Sequence, residues 1–250
     1  MRIALLSDIH GNSVALDAVL ADIQAHGGVD CYWILGDLVA LGPDPIGVLQ
    51  RLTALPNVHF VRGNTDRYVI SSDRPPPSLE DLHSDVSLLP IALEVAGTFA
   101  WTQGAITAAG WFHWLTDLPL EQHLILPDGT QLLGVHAAPG RDDGDGIAPE
   151  MSDDQIATHL HECGAALICV GHTHRPMNRR IGRWHVINLG SVSNPPSADR
   201  RASYVILTAT NSGYNVRHYL IDYDRAAVLQ SLDTLQHPGA AFIRKHLDGM

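Results

Sequence analysis

The stretch that decides the fold is Arg2–Asn12, which reads RIALLSDIHGN. Four consecutive apolar residues predict a buried strand over Arg2–Ser7. Asp8 and His10 come directly after this strand, and alternate residues at the frayed end of a strand point the same way. Asn12 can cap the helix that follows. The stretch therefore predicts a strand, a polar turn and a helix, with two potential metal ligands in the turn.

Strands and helices alternate after this stretch. The sequence predicts a strand at Cys31–Leu35, a helix at Pro45–Leu55 and a strand at Val58–Val61. Such alternation indicates an α/β fold, with parallel strands joined by right-handed crossovers. Functional residues in such sheets collect beyond the carboxyl ends of the strands. Asp37 and Asn64 lie in those positions.

The rest of the chain predicts a helical insertion followed by further strands. A stiff proline-rich segment at 73–77 precedes a region of about 79–118 that is rich in Ala, Leu and Trp. We interpret this region as an insertion over about residues 75–120, within one domain of residues 1–250. The later segments are predicted to be a hairpin of strands Gln122–Leu126 and Gln131–Val135, a mobile loop Pro139–Pro149, a helix Ser152–Cys163, a strand Ala166–Val170, antiparallel strands Trp184–Asn188, Tyr204–Leu207 and Tyr214–Leu220, and a helical tail Tyr223–Leu247 broken at Pro238.

The overall composition narrows the classes of function. The formal net charge is −11, with 27 acidic residues against 16 basic ones, which argues against binding to duplex nucleic acid. A small phosphorylated substrate remains compatible, because bound cations would make its pocket less negative. No apolar stretch approaches the roughly 18 residues that span a membrane, and no signal peptide is evident. We expect a cytoplasmic protein, with its oligomeric state left open.

Side chains that can bind metals end several of the short apolar runs. Three of them offer oxygen and four offer imidazole nitrogen: Asp8, His10, Asp37, Asn64, His136, His172 and His174. This composition suits Mn, Fe, Zn, Ni or Co better than calcium or a metal that prefers thiolates. Seven ligands are too many for one tetrahedral ion, and they divide into two sets that share Asp37. The pattern therefore predicts two divalent metal ions.

The blocks that carry these residues resemble the signature of the calcineurin-like metallophosphoesterases, in the order that this family uses. The blocks are Asp8-Ile9-His10, Gly36-Asp37, Gly63-Asn64-Thr65-Asp66, Val135-His136 and Gly171-His172-Thr173-His174. The resemblance runs from Met1 to about Tyr204, and the segment 188–192 is similar to a loop of the small bacterial and archaeal phosphodiesterase branch. It implies a four-layer αββα sandwich, in which two mixed β-sheets are flanked by helices.

The resemblance also implies a division of the ligands. The first metal would be held by Asp8, His10, Asp37 and His174, and the second by Asp37, Asn64, His136 and His172. A hydroxide bridging the two metals would then attack phosphorus in line. In this scheme Asp37 and Asn64 take part directly in catalysis.

Three neighbouring residues receive supporting roles in this prediction. Asn12 and Arg62 are candidates to contact the phosphate or to orient ligands, and a surface ion pair is the alternative for Arg62. Asp66 is expected to orient a ligand histidine rather than to bind metal. Many family members carry a histidine at the position of Thr65, where it can protonate the leaving group. Thr65 cannot act as such an acid. Either the substrate has a good leaving group, a metal-bound water or another residue donates the proton, or the rate is modest, and the change points to a subfamily.

The predicted function is metal-dependent hydrolysis of phosphodiester or phosphomonoester bonds. A protein Ser/Thr phosphatase and a dinucleoside polyphosphate hydrolase are alternatives that would use the same site, and the absence of a histidine at Thr65 counts against the first. A catalytically inactive binding scaffold is the third alternative. Such a scaffold would be expected to lose ligands, and all seven are present.

Overall fold

Residues 1–248, which this computed structural model describes, form two five-stranded β-sheets with helices on their outer faces. The first sheet has the order β10-β9-β1-β2-β3. Its strands are β1 (Arg2–Leu6), β2 (Cys31–Leu35), β3 (Val58–Val61), β9 (Ala202–Thr210) and β10 (Gly213–Ile221). The first three are parallel, with Ile3 opposite Cys31 and Tyr32 opposite Val58, as the strand–helix alternation predicts. Strand β9 is antiparallel to β1 and to β10.

The second sheet has the order β4-β5-β6-β8-β7. Its strands are β4 (Glu121–Ile125), β5 (Gln131–Val135), β6 (Leu167–Val170), β7 (Met177–Ile181) and β8 (Trp184–Asn188). The predicted hairpin β4–β5 is confirmed, and β5, β6 and β8 run parallel. The prediction that Trp184–Asn188 belongs to a purely antiparallel region is wrong, because β8 pairs parallel with β6 and antiparallel only with β7.

Strand β7 was not predicted from the sequence, and there is a physical reason. Only its two end residues, Met177 and Ile181, are buried, and the three residues between them are polar. It lies at the edge of its sheet and pairs on one side only, with β8. An edge strand needs less apolar surface than an internal one, so its hydrophobic pattern is weak.

Most of the helices lie in the predicted places, but the helix at Asn64–Ile70 was not predicted. The helices are α1 (Ser13–Ala25), α2 (Pro45–Thr53), α3 (Asn64–Ile70), α4 (Leu79–Ser84), α5 (Leu89–Ala108), α6 (Phe112–Thr116), α7 (Asp153–Leu160), α8 (Arg225–Thr234) and α9 (Ala240–Asp248), with a short 3₁₀ turn at Val86–Leu88. The side chains of Asn12, Asp44 and Ser152 cap α1, α2 and α7. Each accepts a hydrogen bond from a backbone N–H in the first turn, which stabilises a helix start by about 1 kcal/mol.

The hydrophobic core consists of three layers. Side chains from the inner faces of both sheets form the central layer, which includes Leu5, Trp33, Leu132 and Cys169. A second layer packs the outer face of the first sheet against α1, α2, α3, α5, α8 and α9, and a third packs the second sheet against α7. The predicted αββα sandwich is confirmed. No helix within residues 1–248 is both long enough and apolar enough to cross a bilayer.

Candidate metal centre

The carboxyl ends of five parallel strands bring all seven predicted ligands together. Asp8 follows β1, Asp37 follows β2 and Asn64 opens α3 directly after β3. On the second sheet, His136 follows β5, and a turn after β6 carries His172 and His174. Because the two sheets pack face to face, these ends meet at one edge of the sandwich.

Backbone strain is concentrated at these ligand positions. Five of them have positive φ angles between 50° and 65°: Asp8, His10, Asp37, His172 and His174. This left-handed conformation costs an L-residue roughly 1–2 kcal/mol. The turns after β1 and β2 stabilise each other in this conformation, because the N–H groups of Ile9 and His10 both donate to the carbonyl oxygen of Asp37 at 2.9 Å. Strain that the surrounding structure maintains in this way is typical of functional sites.

Two glycines allow the close approach that the site needs. A Cβ on Gly63 would lie 2.1 Å from Oδ1 of Asp37, and one on Gly171 would lie 1.9 Å from Oγ of Ser7 and 2.5 Å from Oδ2 of Asp8. Real Cβ atoms are essentially never found this near to another heavy atom. Any larger residue would therefore displace the carboxylates.

The first group of side chains is Asp8, His10, Asp37 and His174. One donor atom from each lies within 4.8 Å of the others, an arrangement that can hold a metal ion. Nε2 of His174 lies 3.1 Å from Oδ1 of Asp8 and 3.2 Å from Nε2 of His10, which is itself 3.7 Å from Oδ2 of Asp37. Asp8, His10 and Asp37 are buried.

The second group lies on the other side of Asp37. Oδ1 of Asn64 lies 3.0 Å from Nε2 of His136 and 3.0 Å from Nδ1 of His172. Nε2 of His136 is 3.4 Å from Oδ1 of Asp37. The two oxygens of the Asp37 carboxylate therefore face different groups, Oδ2 towards the first and Oδ1 towards the second.

Hydrogen bonds to backbone carbonyls determine how three of the histidines are oriented. Nδ1 of His136 donates to the carbonyl of Leu35 at 2.7 Å, and Nδ1 of His174 donates to that of Asn194 at 2.7 Å. A carbonyl oxygen only accepts, so these nitrogens carry hydrogen, and in a neutral ring the opposite nitrogen presents a lone pair. For His172 the pairing is reversed, with Nε2 donating to a carbonyl of the loop after β5.

In each of these three rings, the nitrogen that does not bond to a carbonyl faces an oxygen atom of Asn64 or Asp8. Two lone pairs that face each other repel unless a positive charge lies between them. Oδ1 of Asp8 and Nδ1 of His10 are also buried with no hydrogen-bond partner among the described residues. Buried polar atoms of this kind call for a ligand or an ion. The donor set of carboxylate, amide and imidazole fits divalent cations of the Mn, Fe, Zn, Ni and Co type.

The pKa values of the same groups reflect this demand for positive charge. Burial opposes the charged form of His136, but the neighbouring carboxylate of Asp37 outweighs it and raises the pKa of His136 to about 10. Burial likewise opposes ionisation of Asp37, yet His136 and His10 hold its pKa below the usual range. His10 behaves differently, since burial lowers its pKa to about 4. A bound cation would take over the role of these protons.

Among residues 1–248 the carboxylate of Asp66 hydrogen-bonds to backbone groups and to no histidine ring, which differs from the contact predicted for it. Its carboxylate accepts hydrogen bonds from the backbone N–H groups of Asp37 at 2.9 Å, Leu38 at 2.8 Å and Gly63 at 3.0 Å. From the first turn of α3 the side chain reaches back beneath the turn after β2, where backbone donors rather than rings are within reach. Burial, together with the nearby Asp37, raises the pKa of Asp66 to about 7. Asp66 thus holds the backbone that presents Asp37.

Asn12 is buried and is hydrogen-bonded to the segment that orients His174. It is 1% exposed, caps α1, and donates from Nδ2 to Oγ of Ser193 at 3.1 Å. Oγ of Ser193 in turn donates to Oδ1 of Asn194, whose carbonyl holds His174. Arg62 forms an ion pair, as in the alternative prediction, with Nε 2.9 Å from Oδ2 of Asp142, but this carboxylate is buried and does not lie at the surface.

Other residues of the site were missed by sequence reasoning. Nδ2 of Asn188 donates at 2.9 Å to the carbonyl of Gly171 and to Oγ1 of Thr173, so it supports the turn that carries His172 and His174. The sequence indicated Asn188 only through its place in the segment 188–192, which is similar to a loop of the small phosphodiesterase branch. The backbone carbonyls that orient the histidines had no signal, because every residue type has one.

The fold and this cluster define an α/β protein of two packed sheets with a site for divalent metals. Residues 1–212 match the family model of the calcineurin-like phosphoesterase superfamily domain. The chain belongs to this superfamily, so the resemblance in its sequence is confirmed.

Individual relatives agree with this assignment. A metallophosphoesterase from Sphaerobacter thermophilus superposes with a TM-score of 0.75 at 26% identity, covering 99% of this chain and 98% of that one. A hypothetical protein from Pyrococcus horikoshii shares the fold with a TM-score of 0.79 at 21% identity, over 97% of both chains. A symmetrical bis(5'-nucleosyl)-tetraphosphatase from Pectobacterium atrosepticum is 38% identical over 89 residues, which is 33% of this chain and 32% of that protein. The chain thus matches about a third of the length of that tetraphosphatase.

Proposed function

We propose that this protein is a metal-dependent phosphoesterase with two divalent metal positions. Asp8, His10, Asp37 and His174 would hold the first ion, and Asp37, Asn64, His136 and His172 the second. The observation that carries the proposal is the carboxylate of Asp37, whose Oδ2 lies 3.7 Å from Nε2 of His10 while Oδ1 lies 3.4 Å from Nε2 of His136. Mn, Fe, Zn, Ni and Co remain the candidate metals.

The chain's own residues give this site its chemistry. When bound, two divalent cations activate water and neutralise charge on the phosphoryl oxygens. Asp37 would be shared by the two positions, and Asn64 would supply a neutral oxygen where two carboxylates already provide negative charge. The backbone carbonyls of Leu35 and Asn194 keep the ligand nitrogens of His136 and His174 directed at the centre.

Thr65 indicates which leaving groups the site can expel. Its N–H donates to Oδ1 of Asp37 at 2.9 Å, and its hydroxyl is too weak an acid to protonate a leaving group. Hydrolysis should therefore favour substrates whose leaving groups are weakly basic. Aryl phosphodiesters and phosphoanhydrides meet this condition, whereas alkyl phosphates do not.

A dinucleoside polyphosphate hydrolase is the second candidate. The local match to a symmetrical bis(5'-nucleosyl)-tetraphosphatase supports it. The leaving group of such a substrate is a nucleotide phosphate, which departs without a strong acid. In either case we propose that the substrate is a small phosphorylated molecule. We also propose that residues 1–250 form one domain, with 75–120 as an insertion beside the site.

The test is hydrolysis of bis-p-nitrophenyl phosphate by metal-free protein supplied with Mn²⁺ or Ni²⁺. We expect turnover only after metal is added, and we expect Asp37→Asn to abolish it. Asp145→Asn is the matched control, because this exposed carboxylate lies outside both ligand sets. The proposal fails if metal-loaded protein turns over neither diesters nor monoesters, or if Asp37→Asn retains full activity.

A further inference from the structure

The loop between β5 and α7, residues 139–149, is tied to the start of α3 by ion pairs. Its glycines and aspartates predicted a mobile segment, but two of the aspartates are engaged. Nε of Arg62 and Nε of Arg67 lie 2.9 Å and 3.1 Å from the two oxygens of Asp142. Nη2 of Arg67 lies 2.7 Å from Oδ2 of Asp143, which also accepts a hydrogen bond from the hydroxyl of Tyr68. We call these five side chains the loop clamp.

The ion pairs of Asp142 in the loop clamp are largely shielded from water. The side chain of Asp142 is 9% exposed, and those of Arg62 and Arg67 are each 23% exposed. A carboxylate with so little access to water is stable only with partners, and here two guanidinium groups provide them. The loop is therefore held in one position against α3.

The loop in turn contacts a predicted metal ligand. Oδ1 of Asp143 accepts a hydrogen bond from the N–H of Gly144 at 2.8 Å, and the carbonyl of Gly144 accepts one from Nε2 of His172 at 2.8 Å. Because Nε2 carries the hydrogen, the lone pair of the neutral ring is on Nδ1, which faces Oδ1 of Asn64 at 3.0 Å. The position of Gly144 thus selects the ring nitrogen that His172 offers.

We propose that Asp142 and Asp143 are positioning residues for the second metal position, acting through Gly144 on the tautomer and orientation of His172. This inference rests on the proposed function. The helix α3 supports the arrangement, since it begins with Asn64 and carries Arg67 and Tyr68 of the loop clamp about one turn later. The short helix α3 therefore fixes the position of Asn64 relative to the loop of residues 139–149.

The effect should be confined to the second position. The first position takes its histidine orientation from a different segment, the turn after β8, through the carbonyl of Asn194. Within residues 1–248, no hydrogen bond connects Asp8, His10 or His174 to residues 139–149. Loss of the loop clamp should thus weaken one metal site and leave the other unchanged.

The experiment is a calorimetric titration of metal-free protein with Mn²⁺, comparing wild type with Asp143→Ala. We expect two binding events in wild type. In the variant the second event should weaken by about 10-fold, at the lower end of the effect of losing a direct partner of a metal ligand, because Asp143 acts on His172 only through Gly144; the first event should not change. Tyr68→Phe removes one hydroxyl from the same clamp and should shift only the second event, by less. Asp145→Ala is the control, since Asp145 is in the same loop, loses the same charge and is exposed.

Hydrogen exchange of the loop provides a second measurement that needs no activity. Because coupling between two sites is reciprocal, occupation of the second position should slow exchange in residues 139–149 of wild type but not of Asp143→Ala. If wild type binds fewer than two Mn²⁺ ions, the proposed function itself fails. If wild type binds two and Asp143→Ala binds both with unchanged affinity, the proposed function survives and the role of the loop is refuted. An equal loss at both sites would also refute it.

Discussion

The two proposed metal positions differ in how the protein holds their ligands. The first is built into the core: Asp8 and His10 are buried, and His174 is fixed by a turn that also hydrogen-bonds to Asn12. The second opens towards residues 139–149, and its His172 depends on a loop carbonyl. Positions on rigid elements keep their geometry better than positions that depend on loops. We therefore expect the first position to be the tighter one and the second to respond to changes in the loop.

The largest effect is expected at Asp37, the residue common to both positions. Asp37→Asn should lower kcat/KM for bis-p-nitrophenyl phosphate at least about 10³-fold, because the negative charge common to both sets is lost and one of the two carboxylate oxygens becomes an amide NH2 group. Metal titration should show both binding events weakened. Asp8→Asn is the comparison, since it should weaken only the first event. If Asp8→Asn weakened both metal-binding events as much as Asp37→Asn does, the two positions could not be told apart by their ligands.

The next largest effect should come from Asp66, which supports the two positions through the backbone of Asp37. Asp66→Ala leaves the N–H groups of Asp37, Leu38 and Gly63 without their acceptor in the core. Each buried donor without a partner costs about 1–3 kcal/mol, so we expect a loss of about 3 kcal/mol or more in unfolding free energy. Urea unfolding measures it, with the exposed Asp17→Ala as control. A change below about 1 kcal/mol would contradict the role of Asp66 as a backbone support.

His237, a buried histidine that has no carboxylate partner among the described residues, gives a contrast to the metal centre. His237 packs its ring against Trp101, accepts a hydrogen bond from the N–H of Gly239, and has its pKa lowered to about 4 by burial. In the unfolded state His237 has its ordinary pKa near 6.5, so as the pH falls the unfolded protein binds a proton before the folded protein does. Stability present above pH 6.5 is therefore lost between about pH 6.5 and 4, by about 1–2 kcal/mol at pH 5.

The measurement is urea unfolding of wild type and His237→Gln at pH 7.5 and pH 5. The difference in pH sensitivity between the two proteins isolates the contribution of His237. We expect the variant to lose less stability on acidification than wild type does. Identical pH dependence in both proteins would show that this ring does not titrate differently on unfolding.

The smallest effect is expected at Asn12, which connects α1 to the first position. Asn12→Ala removes the cap of α1 and the hydrogen bond to Ser193, so unfolding free energy should fall by about 1–2 kcal/mol. Because Ser193 and Asn194 keep their own backbone contacts, the first metal event should weaken only a few-fold. Asn12→Ser, which can still cap the helix, should recover most of the stability. A loss of metal binding as large as that of Asp8→Asn would mean that the first position is not built into the core.

Most of the fold could be predicted because its signals are local. The strands β1, β2 and β3 and the caps of α1 and α7 follow from runs of apolar residues and from single polar residues beside them. Strand β7 could not be predicted, because an edge strand with three polar residues has little periodicity. The parallel pairing of β8 could not be predicted either, since it depends on the position of β6, about 20 residues earlier.

The candidate site divides in the same way. The seven side chains could be selected because each ends an apolar run and has donor chemistry. The role of Asp66 could not, because its three partners are backbone N–H groups that exist in every residue. Arg62 shows the same limit: its partner Asp142 is 80 residues away in the chain, and the sequence offers several aspartates as alternatives.

By itself, the sequence of this protein determined the type of ligands, their order and their location at strand ends, because hydrophobic periodicity and donor chemistry are properties of short segments. Only the tertiary structure decided which atom of each ligand faces the centre. His136 offers Nε2 because its Nδ1 meets the carbonyl of Leu35, 101 residues earlier, and His172 offers Nδ1 because its Nε2 meets Gly144. Such choices depend on where distant backbone groups come to lie, and that position follows from the packing of the whole chain.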